Sequence, residues 1–273
     1  MTTDPQYRRF TKRQILHVVT LAGFFICAAV LAGSWWHIAP LGGAGSWAEV
    51  LLPILALATT LVALARGLPA QNVILVAALI ALISGIVETV GAKTGVPFGS
   101  FIYTENLGPQ LFSLLPWPVP LIWVVVILNS RGVARLILRP WRKLGRYGLW
   151  VMGLTVLLAV VFDLGLEPFA ARVNRYWIWR VSPRAPAWHT APWVNFLGWA
   201  VTVLLILAFV TPWLINKRAS KQQSPDYHPL VVWLTLNLFL TTGNATHQLW
   251  SAAGFGLLSG IIVTFFAMRG AHW

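Results

Sequence analysis

Apolar residues in this chain come in long unbroken stretches separated by short polar breaks, without the strict alternation of outer-membrane strands. Runs near 14–35, 47–65, 70–90, 117–130, 147–167, 193–215, 229–246 and 249–267 approach the ~20 residues a helix needs to cross ~30 Å of hydrocarbon. The pattern predicts an all-α fold, a polytopic transmembrane bundle of about eight spans. The first run, Ile15 to Trp35, follows Arg8, Arg9, Lys12 and Arg13 as a signal peptide would. It is too long for the apolar region of one, and no polar mature domain follows, so it reads as the first span. Span four opens on Pro116-Trp117-Pro118-Val119-Pro120, where proline suits a first helical turn and forbids a helix interior upstream. Only Gly243 and Asn244 break the last two runs, so a count of seven with a longer final segment stays open. With no internal repeat, soluble domain or low-complexity linker, residues 1–273 read as a single integral-membrane domain.

Composition supports this reading. The chain is 58% hydrophobic and 10% charged, against roughly a quarter charged in soluble domains. A net charge of +13 raises nucleic acid as a partner, but the basic residues flank apolar spans instead of forming a soluble basic domain. They orient the bundle, because positive residues in short loops stay cytoplasmic. With a cytoplasmic N-terminus in the cell membrane, one side holds Arg8 to Arg13, Arg66, the Arg131–Arg146 cluster, Lys217, Arg218, Lys221 and Arg269. The other side holds only Lys93, Arg172, Arg175, Arg180 and Arg184. The single cysteine, Cys27, offers neither a disulfide framework nor a thiolate metal site and reads as a packing residue.

Between spans three and four lies a Gly/Pro-rich loop beginning near Glu88 and running through Gly91, Gly95, Pro97, Tyr103, Glu105 and Gly108-Pro109. Gly91 and Gly95 match a small-xxx-small spacing, but the glycine density around Lys93 assigns them to the loop. Under the predicted topology spans three, five and seven end on one membrane face. Glu88, Asp163, Glu167, Asn244 and His247 gather there, with Asn195 at the start of span six. Asp163 and Glu167 stand four apart, one turn apart on one helical face. Two carboxyls that close, partly out of water, do not both ionise cheaply, so one is expected to hold a proton near neutral pH. Carboxyls inside a span usually point into the bundle and serve function. The structural alternatives are ion pairs from Asp163 and Glu167 to Arg172 and Arg175, and a snorkelling role for Glu88.

His17, His37, His189 and His247 carry no pattern, and no His/Glu spacing suggests a metal, so neither metal nor cofactor is expected. Trp35, Trp36, Trp47, Trp117, Trp141, Trp150, Trp193 and Trp213 fall near span ends as aromatic anchors. Tyr176, Trp177 and Trp179, interleaved with Arg175 and Arg180, form either a binding wall or an interfacial loop.

Several blocks resemble the integral-membrane carotenoid hydratases, the 1′,2′-hydratases and those of the C50 bacterioruberin route. They are Glu88 with Gly91, Gly95, Pro97-Phe98-Gly99, Tyr103 and Leu107-Gly108-Pro109; Pro118, Pro120, Leu121 and Trp123; Asp163, Leu164, Glu167-Pro168 and Tyr176-Trp177-Ile178-Trp179; and Pro192 with Asn195-Phe196-Leu197-Gly198-Trp199. These lie within about residues 85–200; the flanks match only as apolar spans. The family more often has Asp-Pro where Glu167-Pro168 stands, and Gly-Val-Pro where Ala191-Pro192-Trp193 stands. The resemblance implies addition of water across the terminal 1′,2′ double bond of an acyclic (ψ) carotenoid dissolved in the membrane, without a cofactor.

The residues suit that chemistry. Hydrating an unactivated trisubstituted alkene means protonating it to a tertiary carbocation and then delivering water, with the acid held in a low-dielectric pocket. Asp163 or Glu167 is the expected acid, with Glu88 or the partner carboxylate orienting or deprotonating water. Tyr103, Trp177 and Trp179 would flank the cation, worth ~2 kcal/mol each when desolvated. Asn195 would hold water or a carboxyl, and Phe98 and Glu105 complete the expected substrate contacts. Alternatives are a membrane carotenoid cyclase, which begins with the same protonation, a proton-coupled transporter, which would favour an inverted repeat, and a structural scaffold.

Overall fold

A computed structural model describes residues 11–35, 45–180, 185–215 and 224–273. Arg8, Arg9, Trp36, His37, Arg184 and the Lys217–Lys221 segment lie outside the described residues, as do the side chains of Lys12, Arg13 and Trp47. The described residues form eight helices: α1 Lys12–Trp35, α2 Gly45–Leu64, α3 Ala70–Thr94, α4 Pro118–Ile137, α5 Tyr147–Pro168, α6 Trp193–Val210, α7 His228–Thr246 and α8 Trp250–Ala271. Six of them, α1, α3, α4, α5, α6 and α8, are long and apolar enough to cross a membrane. The polytopic all-α bundle expected from the apolar runs is therefore observed. Outward-facing Leu257, Leu258, Ile261, Phe265 and Phe266 of α8 are half-exposed or more or nearly so, as a lipid-facing surface requires.

Three boundaries differ from expectation for local reasons. Gly243 and Asn244 lie inside α7, and the chain turns at His247 to Leu249, where Gln248 takes a left-handed backbone (φ 62°); α7 and α8 are therefore separate. α4 continues past Arg131 and Arg135 to Ile137, burying Val133, Ala134 and Leu136. Gly91 belongs to the last turn of α3, not to a loop, and α3 ends at Gly95, whose left-handed backbone (φ 77°) donates its N–H to the Gly91 carbonyl.

The segments joining the helices on the Glu88 face carry six short strands: β1 Phe101–Tyr103, β2 Gln110–Leu111, β3 Leu115–Pro116, β4 Trp177–Trp179, β5 Ala187–Trp188 and β6 Ala191–Pro192. β1 pairs antiparallel with β4, setting Phe101 opposite Trp179 and Tyr103 opposite Trp177. This ladder ties the segment after α3 to the segment after α5. Beneath it Phe98, 1% exposed, wedges between α3 and α6. A Cβ on Gly91 or Gly198 would stand 2.7 Å from the Phe98 ring, and one on Gly198 only 2.9 Å from the Pro97 carbonyl oxygen.

That contact yields a stability prediction. Gly198→Ala is expected to cost about 1–3 kcal/mol through overpacking. Gly153→Ala on α5, where a Cβ meets nothing within 4 Å, should be neutral or gain up to ~1 kcal/mol of helix propensity. Thermal unfolding in detergent compares the two.

Candidate active site

The end of α5 is built to present carboxyls. Pro168 has no N–H to return to the Leu164 carbonyl four residues earlier. The Trp188 indole N–H donates to that oxygen instead, at 2.8 Å. Past Pro168 the chain widens into a π turn over Phe169–Val173, and the Phe169 N–H bonds Leu166 rather than Gly165. Asn244 of α7 then donates to the Gly165 carbonyl at 2.9 Å. Side chains from β5 and α7 thus satisfy the backbone between Asp163 and Glu167.

Asp163 and Glu167 are 0% and 2% exposed. The Asn195 side-chain amide donates to both, to Asp163 Oδ2 at 2.9 Å and Glu167 Oε1 at 3.0 Å. The other oxygen of Glu167 accepts the indole N–H groups of Trp177 and Trp179 at 3.1 and 3.0 Å. Across the cavity Glu88, 7% exposed, accepts the Tyr103 hydroxyl on Oε2 and the Trp123 indole N–H on Oε1, both at 2.8 Å. Burial and the charge of Glu88, with a smaller contribution from Glu167, push the Tyr103 phenol well above its ordinary pKa, so it remains a neutral hydroxyl.

These side chains surround a cavity of about 40 Å³. Glu88, Glu167, Asn195, Tyr103, Phe98, Trp177 and Trp179 line it, all expected from sequence, together with Phe101, Ile122, Trp123, Leu166 and Trp199. Asp163 does not reach the cavity; it touches Asn195 from behind, and its Oδ1 has no hydrogen-bond partner among the described residues. Trp123 and Trp199 stack at 3.9 Å between ring centres. Neither was expected in the site from the sequence, although both Trp123 and Trp199 stand in the blocks that carry the family resemblance.

Some expectations do not meet here. Glu105 is exposed and lines a different, larger cavity. His189 meets Ser251 on the surface at 3.1 Å, and His247 meets the Gly243 carbonyl at the end of α7. The salt bridges considered for Asp163 and Glu167 are not formed. Arg172 and Arg175 are exposed, and the ion pair among the described residues is Arg66 with Asp226, at the opposite end of the bundle.

The fold and site define a multi-pass helical membrane protein with three buried carboxyls, each held by aromatic or amide donors, at one face. Residues 46–263 match the family model described as carotenoid biosynthesis protein. This is well over half of the chain, and the chain belongs to that family. Over 123 residues it is 32% identical to the bisanhydrobacterioruberin hydratase of Haloarcula japonica, covering 44% of this chain and 39% of that relative. The chain therefore matches about two-fifths of the relative's length. No solved structure matches.

Asn195→Leu leaves both α5 carboxyls short of a donor and should destabilise the protein by about 1–3 kcal/mol. Trp193→Phe, at a half-exposed ring two residues away, should shift stability by less than about 0.5 kcal/mol. Chemical unfolding in mixed micelles separates these outcomes.

Proposed function

We propose that this protein adds water across the terminal double bond of an acyclic carotenoid end group. Family membership supports a carotenoid substrate, and the similarity to a hydratase supports the reaction type. The observation that carries the reading is the pair of carboxyls, Glu88 and Glu167, facing one small cavity walled by aromatic rings.

Their partners divide the labour. Glu167 receives three N–H donors, which can only donate, so its oxygens are arranged as acceptors and suit a base. Glu88 is held by one indole N–H and one hydroxyl, and the Tyr103 hydroxyl can also accept, so Glu88 can carry a proton without losing that bond. No cation pairs with the carboxyls among the described residues, leaving protons as the counter-charges available to the cluster. This reverses the assignment expected from spacing alone. Asp163 becomes a positioning residue, acting on Glu167 through Asn195.

The Glu88 carboxyl gives its proton to the less substituted alkene carbon, leaving a carboxylate and a tertiary carbocation. Trp123, Trp177 and Trp179 line the cavity, where the face of an aromatic ring stabilises such a cation. A water oxygen forms the new C–O bond and passes a proton to Glu167. The net change consumes one water and no protons, so proton exchange with solvent restores Glu88. Cyclisation shares the first step but ends in ring closure and proton loss, which leaves the pigment mass unchanged.

Expression in a host accumulating an acyclic carotenoid should yield pigment heavier by one water. Glu88→Gln and Glu167→Gln should each lower its rate of formation ~100-fold or more, and Asp163→Asn should lower it less. Normal levels of hydrated pigment from all three variants would remove this site from consideration.

A further inference from the structure

Beside the carboxylate cavity lies a second one of about 300 Å³. Its shape follows the helices that bound it. Glu49, Pro53 and Ala56 descend α2 from the site face towards the bundle interior, and Leu240 and Leu236 descend α7 in the same direction. The rim is polar, with Glu105, Asn106, Asn174 and Tyr176, and the shaft below is apolar. Ile122 of α4 and Leu166 of α5 line both cavities and form the partition between them.

Volume decides what each can hold. If ~150 Å³ takes one benzene, about 300 Å³ takes roughly a dozen carbons, and about 40 Å³ takes fewer than two. An isoprenoid reacting at its terminal double bond must place its adjoining carbons in space continuous with the carboxylates. In a ψ end group a pair of saturated carbons separates that double bond from the rigid polyene, so the chain can turn there.

We propose that the larger cavity is the binding shaft for the isoprenoid chain, with the terminal alkene passed between Ile122 and Leu166 to reach Glu88 and Glu167. This rests on the hydratase reading above. The chain enters along the α2–α7 wall, parallel to the acyl tails in which a carotenoid dissolves, and the polar rim limits how far it rises towards water.

The test fills the shaft well below the carboxyls with Ala56→Phe and, separately, Leu236→Trp, each checked for monodispersity in detergent. Two substrates with the same terminal trisubstituted alkene are compared, a full-length acyclic carotenoid and an alkene of about five carbons, short enough to leave most of the shaft empty. Binding of the long carotenoid is read independently from its induced circular dichroism in the visible. Both variants should lower the long-to-short ratio of hydration rates at least tenfold and weaken the dichroism of the bound pigment. A wild-type ratio with wild-type dichroism in the variants overturns the proposal and points to a chain lying in lipid between α3 and α6. If the wild-type protein binds the pigment but hydrates neither substrate, the hydratase reading fails, and loss of dichroism in the variants still supports the shaft.

Discussion

A carboxyl sunk into a membrane bundle has to find hydrogen-bond donors from the protein itself, because lipid offers none. For Glu167 those donors arrive from two directions, β4 through two indoles and α6 through Asn195. For Glu88 they come from β1 and α4. Much of the site-end architecture follows from this demand. The β1–β4 ladder brings Tyr103, Trp177 and Trp179 over the carboxyls, Phe98 fixes that ladder between α3 and α6, and Gly91 and Gly198 leave room for its ring. Removing α5 from regular helix after Pro168 frees carbonyls that Trp188 and Asn244 then bind, so the presentation of Asp163 and Glu167 is fixed from outside their own helix.

The helices were legible in the sequence because lipid imposes one rule, about twenty apolar residues per span, that needs no tertiary context. The gathering of Glu88, Asp163, Glu167 and Asn195 at one face was legible too, since it follows from counting spans. The missing details depend on the partner across the bundle. Asp163 and Glu167 share a helical face by spacing, yet only Glu167 reaches the cavity, because Asn195 of α6 stands in front of Asp163. Glu105 sits in the same acidic loop as Tyr103, but the turn after β1 sends it to the rim of the second cavity. Gly91 read as loop from its neighbours, while in the fold it is helical and spares space for Phe98.

The same constraint shapes the proposed chemistry. A donor-only shell around Glu167 and a reversible hydroxyl beside Glu88 set apart two carboxyls that composition alone makes equivalent. The aromatic residues that donate to them also line the cavity, so in the proposed reaction structural support and transition-state stabilisation reside in the same rings. In the proposed reaction the chain end reaches the carboxyls and the larger neighbouring cavity takes the adjoining part of the substrate.

Isotope incorporation tests the central claim, that a proton and a water oxygen are added across one double bond, most directly. Detergent-solubilised protein would be supplied with an acyclic carotenoid in deuterated, oxygen-18-enriched water, and the pigment analysed by mass spectrometry. Hydration predicts one carbon-bound deuterium and one oxygen-18 for each end that reacts. Carbon-bound deuterium without oxygen-18, in a pigment of otherwise unchanged mass, would contradict the account and identify ring closure in its place.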